Sequence, residues 1–374
     1  MKKNLRVWLC LIAGATAAGD TTAVYAQPSA NVSDFASGLN GPRGLKFGSD
    51  GTLYVAEAGT GGSTSTVGQC EQVPPPVGPY TGGSTARSSK VDRWGNVSTV
   101  VSGLPSSLSP IGDIEGVADL AFLNGSLYAL LAGGGCSHGN SAPNAVIRVD
   151  VKQGTWKQIA NMSKFLMDHP AKYVRPADFE PDGTFYSMIA SGGLLYAVEP
   201  NHGQVFSISP SGSIKEEMDV SKAENHIVPT AITENYGTFY LGNLGSFPIV
   251  PQIEKVLTLT KDGCNWPFLL GFGCLQPQKG LRLSGSRSGF TTVVGLDFGP
   301  DGLLYVLELS EGAGFPTPGL GKVVRLNRQG EIEDVATGLS GPTGMTFGPD
   351  GKLYVSNFGA AAPGLGTIVR ITVY

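Results

Sequence analysis

The amino-acid sequence predicts an all-β fold, a six-bladed β-propeller made of four-stranded antiparallel blades. The first observation is a repeated phrase: residues 41–59 read "GPRGLKFGSDGTLYVAEAG", and residues 341–359 read "GPTGMTFGPDGKLYVSNFG". The second is the composition, because 54 glycines and 25 prolines beside 41% hydrophobic residues are typical of a turn-rich folded β protein. The third is that the turn-and-strand part of the phrase occurs six times, as "DGTLYVAE" (50–57), "NGSLYALL" (124–131), "GGLLYAVE" (192–199), "YGTFYLGN" (236–243), "DGLLYVLE" (301–308) and "DGKLYVSN" (350–357).

Each copy marks the hairpin between the first two strands of a blade. Asp-Gly, Asn-Gly and Gly-Gly supply the left-handed backbone that two-residue hairpin turns require. A strand such as "GLKF" precedes most turns, and strands such as "KVVRLN" and "EIEDVATG" follow. Four strands repeated six times indicate a propeller. In the fourth unit, the irregular segment "CNWPFLLGFGCLQPQKG" is expected to replace the outer strand, and no long amphipathic helix is predicted.

The sixth unit stops after its third strand, "TIVRITVY". The segment "VSDFASGL" (32–39) resembles "IEDVATGL" (332–339), the fourth strand of the unit before. We therefore expect the N-terminal strand to complete the last blade and close the ring, which removes exposed sheet edges. A closed ring predicts a single domain over residues 27–374.

The first 26 residues read as a secretory signal peptide, with a basic start, a short apolar stretch and small residues before a cut after Ala26. The alternative is a short membrane anchor. Export to the periplasm or the medium is expected, with no stable membrane insertion after cleavage. Loss of residues 1–26 changes the net charge from −4 to −6, and without a basic cluster this argues against nucleic acid as a partner. A monomer is expected.

Four cysteines remain after cleavage, and an even number in an exported protein predicts two disulfides. Three connectivities are possible. Pairing the neighbours Cys264 and Cys274 leaves Cys70 to pair with Cys136. Cys70 lies in a long loop, residues 58–88, and Cys136 lies in the equivalent loop of the next unit, so a bridge there would fold the first loop over its neighbour and partly cover the channel. The alternatives are free or metal-binding thiols and a disordered insertion.

Polar residues recur three positions after the repeat tyrosines, where each second strand ends at one mouth of the channel. Unit two has Leu131 at this position. Carboxylate and amide oxygens suit Ca²⁺, so one hypothesis is a calcium site at the central channel. The other is that polar residues line the channel because water fills it. The candidate metal ligands, which are also candidate ligand-binding residues, are Glu57, Glu199, Asn243, Glu308 and Asn357.

The four histidines fall in loops that the topology places on this same face: His138, His169, His202 and His226. His202 and His226 are candidates for acid–base catalysis, and His202 is also a candidate ligand-binding residue. The bland alternative is that surface loops collect polar residues. Arg43, in the repeated Gly-Pro-x-Gly phrase, and Phe247, on the rim, complete the ligand-binding candidates. No nucleophile elbow or phosphate-binding loop is present in the sequence.

Residues 31–374 resemble the ScyD/ScyE family of exported propellers, named from the gene cluster for scytonemin, an indole–phenol sunscreen pigment of cyanobacteria. The resemblance rests on "GPRGLKFGSDGTLYVAEAGTGG", "VVSGLPSS", "LGNLGSFPIVP", "GFTTVVGLDFGPDGLLYVLE" and "SGPTGMTFGPDGKLYVSNFG", in that order. Unit three departs from the family pattern, with "GTFYSMI" and "EPNHGQV". The resemblance implies an exported protein that supports the handling of an aromatic natural product, and it implies no catalytic residues.

Three functions follow as hypotheses. The first is an exported propeller that binds a small molecule or a protein partner at its upper channel face. The second is a calcium-dependent lactonase or hydrolase of the gluconolactonase type, an analogy at the level of the fold. The third is a non-catalytic scaffold of an envelope assembly.

Overall fold

The computed structural model describes residues 26–261, 280–311 and 317–373. In these ranges the chain forms six antiparallel sheets arranged as a β-propeller, as the sequence predicts. The first strand of each blade contacts the first strands of the two neighbouring blades, so the ring is continuous. The signal peptide stays a prediction, because residues 1–25 lie outside the described ranges.

The first half of the ring follows an N-terminal strand, β1 (Val32–Leu39). Blade 1 contains β2 (Pro42–Phe47), β3 (Leu53–Glu57), β4 (Thr81–Val91) and β5 (Val97–Leu108), and the short β6 (Ile114–Glu115) pairs with β5. Blade 2 contains β7 (Val117–Leu123), β8 (Ser126–Leu131), β9 (Ala145–Asp150) and β10 (Thr155–Asn161). Blade 3 contains β11 (Ser187–Ser191), β12 (Leu194–Glu199), β13 (Gln204–Ile208) and β14 (Ile214–Asp219).

The second half has the same plan. Blade 4 contains β15 (Pro229–Asn235), β16 (Thr238–Asn243), β17 (Glu254–Lys261) and β18 (Leu281–Phe290). Blade 5 contains β19 (Val293–Phe298), β20 (Leu304–Glu308), β21 (Gly321–Leu326) and β22 (Ile332–Leu339). Blade 6 contains β23 (Gly344–Phe347), β24 (Leu353–Asn357) and β25 (Gly366–Ile371), and β1 supplies its fourth strand.

Two predictions about strand order have different outcomes. The N-terminal strand does complete blade 6, with Val32 opposite Ile371 and Leu39 opposite Gly366 in an antiparallel ladder. The prediction that an irregular segment replaces the outer strand of blade 4 was wrong, because β18 pairs with β17 along its length. Exposed charged and polar residues on β18, such as Arg282, Ser284 and Arg287, are typical of an edge strand.

The repeated tyrosine holds neighbouring blades together. Tyr354 of blade 6 packs edge-on against Phe47 of blade 1, with ring centroids 5.0 Å apart. Edge-to-face pairs of this kind add to the stabilisation that burial of the rings provides. The same contact recurs at three further junctions: Tyr54–Phe122, Tyr240–Phe298 and Tyr305–Phe347.

Two short helices follow the outer strands of blades 2 and 3: α1 (Met162–Asp168) and α2 (Val220–Glu224). Each begins at a capping side chain, since Asn161 accepts a hydrogen bond from the backbone of Lys164 and Asp219 accepts one from Lys222. Neither of the helices in the described part of the chain has the length and apolar content needed to span a bilayer.

Candidate functional site

The upper face of the propeller carries the connections between blades and the loops that join second to third strands. The polar residues predicted to ring this face each occupy the last position of a second strand, and each is buried. They are Glu57, Glu199, Asn243, Glu308 and Asn357. Leu131 holds the same position in blade 2.

These side chains bind the backbone of their own blade. Glu57 accepts a hydrogen bond from the Asn40 N–H at 2.7 Å, and Asn357 accepts one from the Ser340 N–H at 2.8 Å. Both donors lie in the connection that leads into the first strand. Equivalent bonds join Glu199 to the Thr184 N–H, Glu308 to the Thr291 N–H and Asn243 to the Ile227 carbonyl.

The three carboxylates of this ring do not form a close group. Glu57, Glu199 and Glu308 are not among the described carboxylates whose oxygens lie close enough to share an ion. Glu57 is also paired with Arg87, whose Nε and Nη2 lie 2.7 and 2.8 Å from its two oxygens. The calcium site at these five residues therefore stays a prediction without support from this geometry.

Arg43 lies in the first strand of blade 1, and Tyr186 directly precedes the first strand of blade 3. Arg43 Nη2 donates to the Ile114 carbonyl at 2.5 Å and lies 3.4 Å from an Asp113 oxygen. Tyr186 of blade 3 donates from its hydroxyl to the Thr343 carbonyl of blade 6 at 3.0 Å. Since these blades are opposite in a six-membered ring, this bond bridges the channel. Burial raises the pKa of Tyr186, so the hydroxyl keeps its proton.

Three of the four histidines contact the segment that leads into blade 3. His226 Nε2 lies 3.6 Å from an Asp178 oxygen, and His202 Nε2 lies 2.8 Å from the Glu180 carbonyl. His138 Nε2 lies 3.0 Å from the Glu180 side chain. The structure thus places these histidines on one face, as the topology predicts, and it also brings them around one segment, which was not predicted.

His202, one of the two catalytic candidates, and His169 each stack on a phenylalanine ring. His202 is buried and stacks on Phe179, with ring centroids 5.1 Å apart. Its backbone N–H donates to Glu199, so it belongs to the hydrogen-bonded framework. His169 is exposed and stacks on Phe165. Phe247 is 54% exposed, and its role as a ligand contact stays a prediction.

Glu115, His138 and Glu180 form a buried cluster, and we call it the upper cluster. His138 Nε2 lies 3.0 Å from Glu180 Oε2 and 3.4 Å from Glu115 Oε2. The imidazole is fully buried, and the two carboxylate side chains are 9% and 8% exposed. Their three ligand atoms all lie within 4.8 Å of one another, the one such group among the described residues.

The elements that deliver the upper cluster come from three parts of the chain. Glu115 ends β6, at the entry to blade 2, and Glu180 lies at the entry to blade 3. His138 ends a single 3₁₀ turn, Cys136–His138, in the loop between β8 and β9. All three positions belong to the upper face.

The upper cluster has shifted acid–base behaviour. Burial raises the pKa of both Glu115 and Glu180, because a carboxylate loses hydration away from water. Burial alone would lower the pKa of His138, but the two neighbouring carboxylates outweigh it and raise the value to about 9. The two carboxylates therefore favour the protonated form of the imidazole.

A frame of hydrogen bonds orients the upper cluster. Thr184 donates its hydroxyl to Glu115 Oε1, and the Thr184 N–H is held by Glu199. Asp182 accepts the N–H and the hydroxyl of Ser137, the residue before His138, at 2.9 and 2.7 Å. The predicted ring residue Glu199 thus supports the upper cluster through Thr184.

A disulfide joins the loops above the upper cluster. Cys70 and Cys136 are bonded, as the sequence predicts, so the long loop of blade 1 is tied to the corresponding loop of blade 2. The Tyr80 ring packs edge-on against His138 at 4.8 Å and is itself buried. Cys264 and Cys274 lie outside the described residues.

Sequence reasoning found part of the upper cluster. It placed His138 on the right face, but it did not select Glu115 or Glu180. Glu115 lies in β6, a short strand without a counterpart in the described residues of the other blades, and Glu180 lies in a segment without periodicity. The histidine-rich loops were the available signal, and no spacing rule connects them to carboxylates 23 and 42 positions away.

Several solved structures share the fold at low sequence identity. A gluconolactonase from Xanthomonas campestris is 10% identical over 92% of this chain and 89% of that protein, with a TM-score of 0.54. A provisionally assigned glucose dehydrogenase from Thermus thermophilus is 18% identical over 91% and 99%, with a TM-score of 0.54. A luciferin-regenerating enzyme is 12% identical over 92% and 95%, with a TM-score of 0.53. No protein-family model and no curated protein sequence matches the chain.

Proposed function

We propose that this chain is an exported six-bladed propeller that binds a small polar molecule at its upper face, beside Glu115, His138 and Glu180. The observation that carries the proposal is the burial of three ionisable side chains, brought together from three elements and fixed by a hydrogen-bonded frame. Taking such groups out of water costs free energy, and shifted pKa values concentrate at functional sites.

The surroundings of the upper cluster support this location. The long loop of blade 1 reaches over blade 2, where Cys70–Cys136 fastens it and Tyr80 packs on His138. Loops held on a rigid scaffold are common carriers of binding function. The disulfide also fits an oxidising compartment and so supports export to the periplasm or the medium.

The resemblance to the ScyD/ScyE family suggests which molecules to try first. It favours a molecule whose polar group, such as a phenol hydroxyl or an indole N–H, is attached to an aromatic ring. Two other non-catalytic functions are proposed: binding of a protein partner at the same face, and a scaffold role in an envelope assembly. Both predict that the protein converts no substrate.

Hydrolysis of a lactone is a second candidate, favoured by the proton that His138 holds next to two carboxyl groups. In this scheme a carboxylate takes a proton from water, whose oxygen adds to the lactone carbonyl. The ring C–O bond breaks as His138 gives its proton to the leaving oxygen, which leaves a hydroxy acid. The name gluconolactonase of one structural neighbour supplies the substrate to test.

The test compares the protein with Glu180→Gln and with Glu331→Gln, an exposed glutamate in the turn between β21 and β22 on the opposite face. Indole, 4-hydroxyphenylacetate and D-glucono-δ-lactone are titrated while the melting temperature is followed. We expect at least one compound to stabilise the native chain and Glu331→Gln, with the shift lost in Glu180→Gln. A shift that survives in Glu180→Gln would move the binding site elsewhere, and a pH-stat assay with the lactone separates binding from hydrolysis.

A further inference from the structure

The atoms of the upper cluster have the spacing of ligands around a metal ion. Ligand atoms about 2.1 Å from a shared metal lie roughly 3.0 Å apart as octahedral neighbours and roughly 3.4 Å apart in tetrahedral coordination. His138 Nε2 lies 3.0 Å from Glu180 Oε2 and 3.4 Å from Glu115 Oε2. Two of the three atom pairs therefore have separations that fit a shared ion, and all three atoms lie within 4.8 Å of one another.

The other ring nitrogen of His138 has the partner that metal-bound histidines have. Nδ1 lies 2.7 Å from the Gly134 carbonyl, and a carbonyl oxygen only accepts, so Nδ1 carries a hydrogen. That bond fixes the ring and directs Nε2 at the two carboxylates. A histidine that ligates through one nitrogen usually donates from the other in this way.

Glu115 directs a carboxylate oxygen without a hydrogen bond toward the same point. Its Oε1 is engaged by the Thr184 hydroxyl, whereas its Oε2 has no hydrogen-bond partner among the described residues. The His138 ring, 3.4 Å away, is the charged neighbour of Oε2, and on a side chain 9% exposed the missing hydrogen bond costs free energy unless another group occupies the oxygen's lone pairs. A cation between Oε2, Nε2 and the Glu180 carboxylate satisfies it.

We propose that Glu115, His138 and Glu180 bind one divalent transition-metal ion of the zinc, manganese or iron class. The mixed set of one imidazole nitrogen and two carboxylate oxygens excludes calcium as the preferred ion, because calcium takes oxygen ligands. Three protein ligands leave positions on the ion for water or for a ligand oxygen. This inference rests on the proposed function, since it names how the upper face would hold a polar molecule.

Metal content tests the inference. The purified protein is stripped with EDTA, mixed with Zn²⁺, Mn²⁺ or Ca²⁺, passed through a desalting column and measured by elemental analysis. We expect about one Zn²⁺ or Mn²⁺ per chain and no retained Ca²⁺. Glu180→Gln should lower retention at least tenfold, and the matched control Glu308→Gln, a buried carboxyl of blade 5 outside the upper cluster, should keep it.

Two further measurements separate the possible failures. The visible absorption spectrum of Co²⁺ added to the metal-free native chain should differ from that of aqueous Co²⁺, and this readout needs no variant to fold. Absence of retained metal in the native chain, or equal retention in Glu180→Gln, would overturn the metal site. Compound-induced shifts in a metal-free protein would leave the proposed function standing, whereas metal retention without any such shift would leave only the metal site.

Discussion

At the scale of single residues, the buried carboxyl groups at the ends of second strands accept hydrogen bonds from backbone N–H groups and so fix the chain that enters each blade. Glu57 binds the Asn40 N–H, the Ser89 hydroxyl and both nitrogens of the Arg87 fork that face it. A carboxylate that accepts several hydrogen bonds keeps its charge stabilised even where it is buried. The charge of Glu308 is less well compensated, since the nitrogen of its cationic partner, Lys322, is 3.9 Å from the carboxylate oxygen.

This difference predicts a pH dependence at Glu308. Burial raises its pKa to about 7 from 4.5, so the folded chain holds this proton more tightly than the unfolded chain. Tighter proton binding by the folded chain adds to the free energy of unfolding. This contribution is complete below about pH 4.5 and is lost as the pH rises through about 7. Glu308→Gln removes the titration, so its stability relative to the native chain should improve by about 2 kcal/mol between pH 5 and pH 8.

Urea unfolding at several pH values measures the effect. Glu331→Gln is the control, because that side chain is exposed and its replacement should leave the pH profile unchanged. Parallel profiles for the native chain and Glu308→Gln would show that Glu308 has the same pKa in both states.

At the scale of elements, the glycine of the repeated Phe-Gly-x-Asp-Gly turn is required by the neighbouring tyrosine. A Cβ at Gly348 would lie 2.6 Å from a ring carbon of Tyr354 and 2.7 Å from an Asp350 oxygen. The Tyr354 hydroxyl meanwhile donates to the same aspartate at 3.1 Å. The turn and the aromatic strand are therefore one packed unit.

Gly348→Ala should destabilise the protein by about 1 to 3 kcal/mol, because both contacts must give way in a packed interface. The control is Gly285→Ala in β18, where an added Cβ meets Thr258 at an ordinary 3.8 Å. Denaturant unfolding of the two variants should separate them clearly. Equal stabilities would mean that the Tyr354 ring moves aside without loss.

The disulfide acts on a single loop pair. Cys70 and Cys136 close a loop of 66 positions, and cross-links of that size stabilise by about 2 to 4 kcal/mol. Cys70→Ser with Cys136→Ser should lower the free energy of unfolding by that amount and expose residues 58–80 to protease. The native chain treated with a reductant should show the same cleavage, and protection equal to that of the oxidised chain would place the restraint in the loop contacts instead.

The sequence was sufficient for elements and insufficient for the site, for a physical reason. Turn glycines and period-two alternation act locally, so the strands and their order were readable from the chain. Alternation also located Glu57 at a strand end, but it does not say that its oxygens meet Arg87 and a backbone N–H. Contact between Glu180 and His138 depends on how blades 2 and 3 are joined, and no local pattern encodes that distance.

At the scale of the whole molecule, stability depends on closure of the ring. Asn31, which directly precedes β1, contacts blades 5 and 6. Its side-chain amide donates to the Val335 carbonyl of blade 5 at 2.9 Å and to the Thr372 carbonyl of blade 6 at 3.0 Å. Leu39 is fully buried in the cluster that joins blades 6 and 1. Without β1, the edge of β25 would face solvent and a row of backbone groups would lose its partners.

Removal of residues 26–39 should therefore abolish cooperative folding of the monomer, although most of the chain remains. A synthetic peptide of residues 26–40 should restore it, because the peptide supplies both the β1 ladder and Leu39. The matched control peptide carries Leu39→Asp, which buries an unpaired charge and should fail to restore folding. Circular dichroism and a sharp thermal transition report the outcome. A shortened chain that unfolds cooperatively at the native temperature without peptide would show that five complete blades and an open sixth are enough, and that closure is not what holds the ring together.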